Sequence, residues 1–233
     1  MHANVVTGQF KAGTEPRHYG VVVPADVPKL AVLISGTGRT LANLIDRIAA
    51  GTLEAEIVAV VSSRAGVRGI EIAEAAGIPA AVVTRKSYPD DGSFSDAIYA
   101  AIAPFQPELI VCAGFLKRLV VPPEWEGRIL NIHPCLIPES NAAGTGFYGD
   151  RVHEAIISSG ATSSGATVHV VDNEYDHGPI VMKETVPVLP GDTASDLAAR
   201  VFVVECDLYP RAITHYLTQH PDLIRRSDPG EWR

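Results

Sequence analysis

Apolar residues in this chain fall into short continuous runs separated by stretches of helical spacing. Lys29–Ser35, Glu56–Ser62, Ile78–Val83 and Glu108–Ala113 are runs of the kind that a strand buried on both faces presents. After the first run, Leu41, Leu44, Ile45 and Ile48 recur at the spacing of one helix face. Val67–Ala76 predicts a second helix that ends on Gly77, and Phe94–Phe105 a third. This alternation predicts an α/β fold with a doubly wound, mostly parallel sheet.

The pattern changes after Gly127. Arg128–Ile132 reads as a fifth strand, stopped by Pro134 and Pro138. Glu139–Gly149 reads as an irregular loop, and Arg151–Ser159 as a short helix halted by Gly160. Gly165–Val171 and Ile180–Val186 are strand-like and are joined by the acidic turn Asp172–Pro179. An antiparallel hairpin is therefore expected near the C-terminal part. The last helix opens with a capping-box pattern, Thr193 with Asp196. Its apolar stripe is Leu197, Val201, Val204 and Leu208, and Pro210 is expected to kink or interrupt it. Residues 1–28 read as an extension, 29–217 as the domain and 218–233 as a polar tail.

A few polar residues break these patterns. Asn131 and His133 lie two apart, so they share one face at the end of a strand. An amide N–H and an imidazolium N–H are both donors, and a developing oxyanion needs such a pair. Local bonds to the backbone at a strand end would explain them equally. Gly36-Thr-Gly-Arg-Thr40 joins a strand to a helix, an arrangement that aims free amides at an anion. It lacks the third glycine of a dinucleotide fingerprint and the lysine of a phosphate loop, so a ligand-free tight turn also fits. His169, on an alternating strand, reads as an interior hydrogen-bonded histidine rather than a catalyst. Glu205 falls on the apolar stripe of the last helix, where it needs a partner: a substrate hydroxyl pair or a backbone amide. In an α/β sheet the Gly36 turn, the Gly114–Arg118 segment and the Asn131/His133 segment all follow strands, which predicts three loops on one rim.

Composition narrows the classes. The net charge is −8 and no block of Lys or Arg occurs, which argues against a nucleic-acid groove or an anionic membrane surface. Cys112, Cys135 and Cys206 are far apart and none lies in a Cys-x-x-Cys pair. They read as thiols of a reduced, cytoplasmic protein without a structural metal. No apolar run reaches the ~18 residues of a membrane span. Pro16, Arg17 and His18 stand where a signal peptide would need an apolar core.

Several stretches together resemble a known family. They are Leu33–Leu41, Ala113–Lys117, Leu130–Pro138, Gly165–His169 and Tyr175–Ile180. The Asn-x-His-Pro-x-Leu-x-Pro motif with a later Asp-x-Gly-Pro resembles the folate-dependent phosphoribosylglycinamide formyltransferases, from about residue 29 to 217. The resemblance implies a Rossmann-like formyltransferase fold. It also implies transfer of a formyl group from 10-formyltetrahydrofolate to glycinamide ribonucleotide in purine synthesis, with no metal. Asn131, His133 and Asp176 would be catalytic, with Asp176 favouring a charged His133. Gly38, Arg39 and Thr40 would meet the ribonucleotide phosphate, and Glu205 its ribose. Leu116, Lys117, Arg118, Leu119, Asn131, Asp172 and Asp176 would line the folate site. A homodimer is common among such proteins. Methionyl-tRNA formyltransferase and the formylfolate deformylase are similar around the motif, but each adds a domain for which this chain is expected to lack room. Four departures stand out: the long 139–149 loop, Phe202-Val-Val204 at usually polar positions, an Asp90-Asp-Gly-Ser93 loop without the basic residue that some members offer to folate, and Cys135 where Ser is usual. They leave open a different amine acceptor, such as an amino sugar nucleotide, or a folate-binding homologue without turnover.

Overall fold

A computed structural model of the chain describes residues 27–137 and 150–224. The expected 139–149 loop, nearly all of the 1–28 extension and the end of the tail lie outside the described residues. The chain divides into two compact units, Met1–Val120 with Asp222–Arg233, and Val121–Pro221.

The first unit holds strands β1 (Lys29–Ile34), β2 (Glu56–Ser62), β3 (Ala80–Val82) and β4 (Leu109–Cys112), in the order β3-β2-β1-β4. All of its pairings are parallel. Helices α1 (Arg39–Ala49), α2 (Arg68–Ala75) and α3 (Asp91–Ile102) connect the strands. The continuous apolar run of β1 follows from its place: Leu30, Ala31, Val32, Leu33 and Ile34 lie between two strands and are fully buried. α1 buries Leu41, Leu44 and Ile48, the residues whose spacing announced it. The backbone N–H of Lys29 donates to the buried Glu108 carboxylate at 2.9 Å, while the N–H of Glu108 donates to the Lys29 carbonyl. α3 starts at Asp90, whose side chain accepts from the Ser93 N–H at 2.7 Å.

The second unit holds β5 (Ile129–His133), α4 (Asp150–Ser158), β6 (Ser163–Val170), β7 (Ile180–Pro187) and α5 (Ala194–Gln219). The strands run β5-β6-β7, antiparallel throughout. Seven strands, mostly parallel with an antiparallel hairpin after them, make a mixed α/β architecture among the described residues. Gly165 is what lets β6 lie close on β7: a Cβ there would meet the Glu184 carbonyl oxygen at 2.0 Å. α5 opens on the expected capping box, Thr193 with Asp196.

Of the kink or interruption expected at Pro210, the interruption does not occur: α5 continues to Gln219. Tyr209, Ala212 and Ile213 are fully buried on either side of the proline. The Tyr209 hydroxyl donates to the Leu130 carbonyl at 3.0 Å, and the Tyr216 hydroxyl to the Gly127 carbonyl at 2.7 Å. Anchoring of one half to β5 and of the other to Gly127 just before it outweighs the backbone bond that proline removes.

Candidate active site

β5 carries Asn131 and His133 to its last turn of pleat, and Pro134 ends the ladder there. Ile132 between them is buried, so the two polar side chains share the other face. The antiparallel register then sets Asn131 opposite His169 and His133 opposite Thr167. The turn between β6 and β7 returns Asp176 to both rings. Its carboxylate lies 3.5 Å from His133 Nδ1 through one oxygen and 3.5 Å from His169 Nε2 through the other. Asn131, His133 and Asp176 are thus brought together within the second unit, with His169 completing the cluster.

His169 is buried as expected, yet it is part of the site. Its Nδ1 lies 3.0 Å from the Val170 carbonyl, which only accepts, so that nitrogen carries the hydrogen. Nε2 lies between two groups, 3.1 Å from Asn131 Nδ2 and 3.5 Å from Asp176 Oδ1. The contact orients the Asn131 amide and leaves it hydrogen-bonding capacity for a ligand oxygen. Sequence spacing could not reveal this. The signal was the strand register, which pairs residue 131 with residue 169.

The electrostatics differ from the expected imidazolium. Burial lowers the His133 pKa below its usual 6.5; Asp176 pulls it up, and His169 and His153 push it down again. Burial prevails, and the ring is held below the usual imidazole range. For Asp176, burial raises the pKa, but the His169 contact and the two imidazoles outweigh it and hold the carboxyl below 3.8. An ionised Asp176 thus faces a His133 whose Nδ1 carries the hydrogen and whose Nε2 is free to take a proton. Burial pushes the Cys135 thiol up to about 12, and Asp176 adds to it. It is a neutral filler, not a nucleophile.

Backbone devices hold the cluster. The Thr167 hydroxyl donates to the Cys135 carbonyl at 2.8 Å and accepts from the Ile137 N–H at 3.0 Å, pinning the segment after His133. Asn173 grips Val121 at two points, accepting its N–H at 2.8 Å and donating to its carbonyl at 3.1 Å. Asp176 itself is left-handed, with φ of 49°. For a residue other than glycine this costs on the order of 1–3 kcal/mol, and such strain persists only where surrounding structure enforces it.

The other expected residues are placed as follows. Glu205 lies on α5, half-buried, one turn beyond the buried Val201. In the first unit, Gly38 is the N-cap of α1, left-handed at φ 72°, and no side chain caps the helix. A Cβ at Gly38 would stand 2.5 Å from the Gly69 Cα, so the turn needs glycine for packing as well as for any anion. Arg39 is exposed and Thr40 half-buried at the same helix end. Leu116 to Leu119 follow β4. The Leu116 N–H donates to Ser35 Oγ at 2.9 Å, which ties this segment to the end of β1. Leu116, Lys117 and Arg118 are exposed, whereas Leu119 is buried. Among the described residues no group of three or more His, Cys, Asp or Glu side chains is placed to hold a metal ion. No described helix is long and apolar enough to cross a membrane.

Residues 28–213 match the family model described as formyl transferase. Over 187 residues the chain is 36% identical to phosphoribosylglycinamide formyltransferase of Haemophilus influenzae, covering 79% of this chain and 85% of that one. It is 43% identical over 187 residues to the chicken trifunctional purine biosynthetic protein adenosine-3, but spans only 18% of that protein's length. Among solved structures, phosphoribosylglycinamide formyltransferase from Brucella melitensis is 40% identical, with a TM-score of 0.72 covering 82% of this chain and 95% of that one. The enzyme of the same name from Bacillus halodurans superposes with a TM-score of 0.75 at 28% identity, over 85% of this chain and 100% of that one.

Proposed function

The chain belongs to the formyl transferase family, and from that premise we propose that it transfers a formyl group from 10-formyltetrahydrofolate to the amine of glycinamide ribonucleotide. The observation that carries this reading is the cluster of Asn131, His133, His169 and Asp176 at the end of β5. An oriented amide donor beside an imidazole backed by a carboxylate suits a formyl oxygen on which charge develops.

The steps follow from the side chains. The Asn131 amide donates to the formyl oxygen as the amine attacks. Neutral His133 takes the proton that the amine loses, and the resulting imidazolium is stabilised by Asp176. That ring then donates to the oxyanion and passes its proton to the folate nitrogen as the carbon–nitrogen bond breaks. One proton leaves the amine and one reaches the folate, so the enzyme returns to its starting state. Gly38, Arg39 and Thr40 hold the ribonucleotide phosphate at the uncapped start of α1. Glu205 accepts from the ribose hydroxyls. Asp172 and Asp176 line the folate site. The three cysteines are free thiols, in keeping with a cytoplasmic enzyme.

An acceptor panel tests the reading. With 10-formyltetrahydrofolate as donor, glycinamide ribonucleotide is expected to give the highest kcat/KM. A higher value with an amino sugar nucleotide would move the assignment to that acceptor. Folate binding with no turnover on any amine would overturn it.

A further inference from the structure

We propose that His177 is a positioning residue, its ring clipping to Asp172 across the base of the β6–β7 turn so that Asp176 stays between His133 and His169. The inference rests on reading this cluster as the formyl-transfer centre. Asp176 has two weaknesses as a fixed group. Its backbone is left-handed, and its contacts to both imidazoles are 3.5 Å, longer than a close hydrogen bond. Something else must hold it. His177 is its chain neighbour, and His177 Nδ1 donates to Asp172 Oδ2 at 2.9 Å. The other Asp172 oxygen accepts from the Glu174 N–H at 2.8 Å. One carboxylate therefore binds both the start and the end of the segment that presents Asp176. Beyond the clip, Gly178 lies so close to the Val170 carbonyl oxygen that a Cβ would stand 1.9 Å from it, which fixes where the turn ends. Glu174 Oε2, at 3.8 Å from His177 Nε2, is a looser second partner.

His177 and Asp172 are both 37% exposed by side chain, and a pair so exposed contributes little to global stability. Its loss should appear in turnover instead. His177→Ala is expected to lower kcat about tenfold while both KM values stay within about twofold, because ground-state contacts survive and the carboxylate wanders. Thermal unfolding should not move. His177→Asn, which keeps a donor at the Nδ1 position, is expected to restore kcat to within about threefold. In a cycle with Asp172→Ala, the double variant should be no slower than Asp172→Ala alone, since both changes open one clip. Wild-type kcat in His177→Ala, no rescue by Asn, or additive losses would each overturn the proposal.

A second readout separates this from the functional reading. Asp176 raises the His133 pKa, so NMR titration of the His133 ring should give a lower value in His177→Ala than in wild type, restored in His177→Asn. If wild type turns over no amine, the assigned reaction fails, and the clip is decided by this titration. An unchanged His133 value in His177→Ala would then overturn it.

Discussion

Burial and a neighbouring carboxylate pull the His133 imidazole in opposite directions, and burial wins. At neutral pH the free enzyme therefore holds this ring uncharged. The acid limb of kcat/KM is expected below the usual imidazole value of 6.5, so activity persists as pH falls through that value and declines only lower. A limb at or above 6.5 in the pH–rate profile would contradict it. Stability carries the same sign. An unfolded ring takes up a proton below pH 6.5 that the folded ring resists, so unfolding free energy should fall as pH drops from 6.5. Asp176, held below 3.8, adds a further loss only under stronger acid, as pH falls through its folded value. His169 is the other residue whose effect is calculable. His169→Ala releases the Asn131 amide, and a loosened donor is expected to lower kcat about tenfold, against the 10²–10³ typical of deleting one. Measured kcat equal to wild type would deny His169 its orienting role. Asn131 and His133 stood out as a polar pair sharing one strand face, whereas Asp176 was singled out only by the family resemblance, since aspartates are common in turns. His169 was legible only as a buried histidine, since its partner depends on register rather than on sequence distance.

At the scale of elements, the apolar runs translated closely into structure. Glu56–Ser62 is β2 without a change of boundary, and the capping box of Thr193 starts α5. β3 is shorter than its run, Ala80–Val82 against Ile78–Val83, because its ladder with β2 spans only those residues. The helix runs through Pro210 despite a local rule about the backbone, which cannot see two buried tyrosines, one bonded to the Leu130 carbonyl of β5 and one to the Gly127 carbonyl before it. The close approach of β6 to β7 was also invisible, since it rests on Gly165 lacking a side chain. Gly165→Ala should destabilise the protein by at least about 1–3 kcal/mol, the usual cost of overpacking, because the clash is with a backbone carbonyl that cannot rotate away. Urea unfolding checks this; a midpoint within error of wild type would show that β7 can yield.

For the molecule as a whole, the acidic balance frames the binding problem. With a net charge of −8, the proposed function requires that an anionic ribonucleotide be attracted by local groups, not by the overall field. In that proposal the start of α1, which no side chain caps, would supply such groups. The extent of the family was legible too: the resemblance from about 29 to 217 and the matched 28–213 cover the same stretch. That legibility came from motifs, whereas the state of charge at the centre came only from the packed structure. The most direct measurement is steady-state formyl transfer from 10-formyltetrahydrofolate to glycinamide ribonucleotide by wild type and by His133→Ala. A fall in kcat of about 10²-fold or more is expected with the fold intact by circular dichroism. Equal rates in the two proteins would mean that the imidazole at the end of β5 is not where the chemistry occurs.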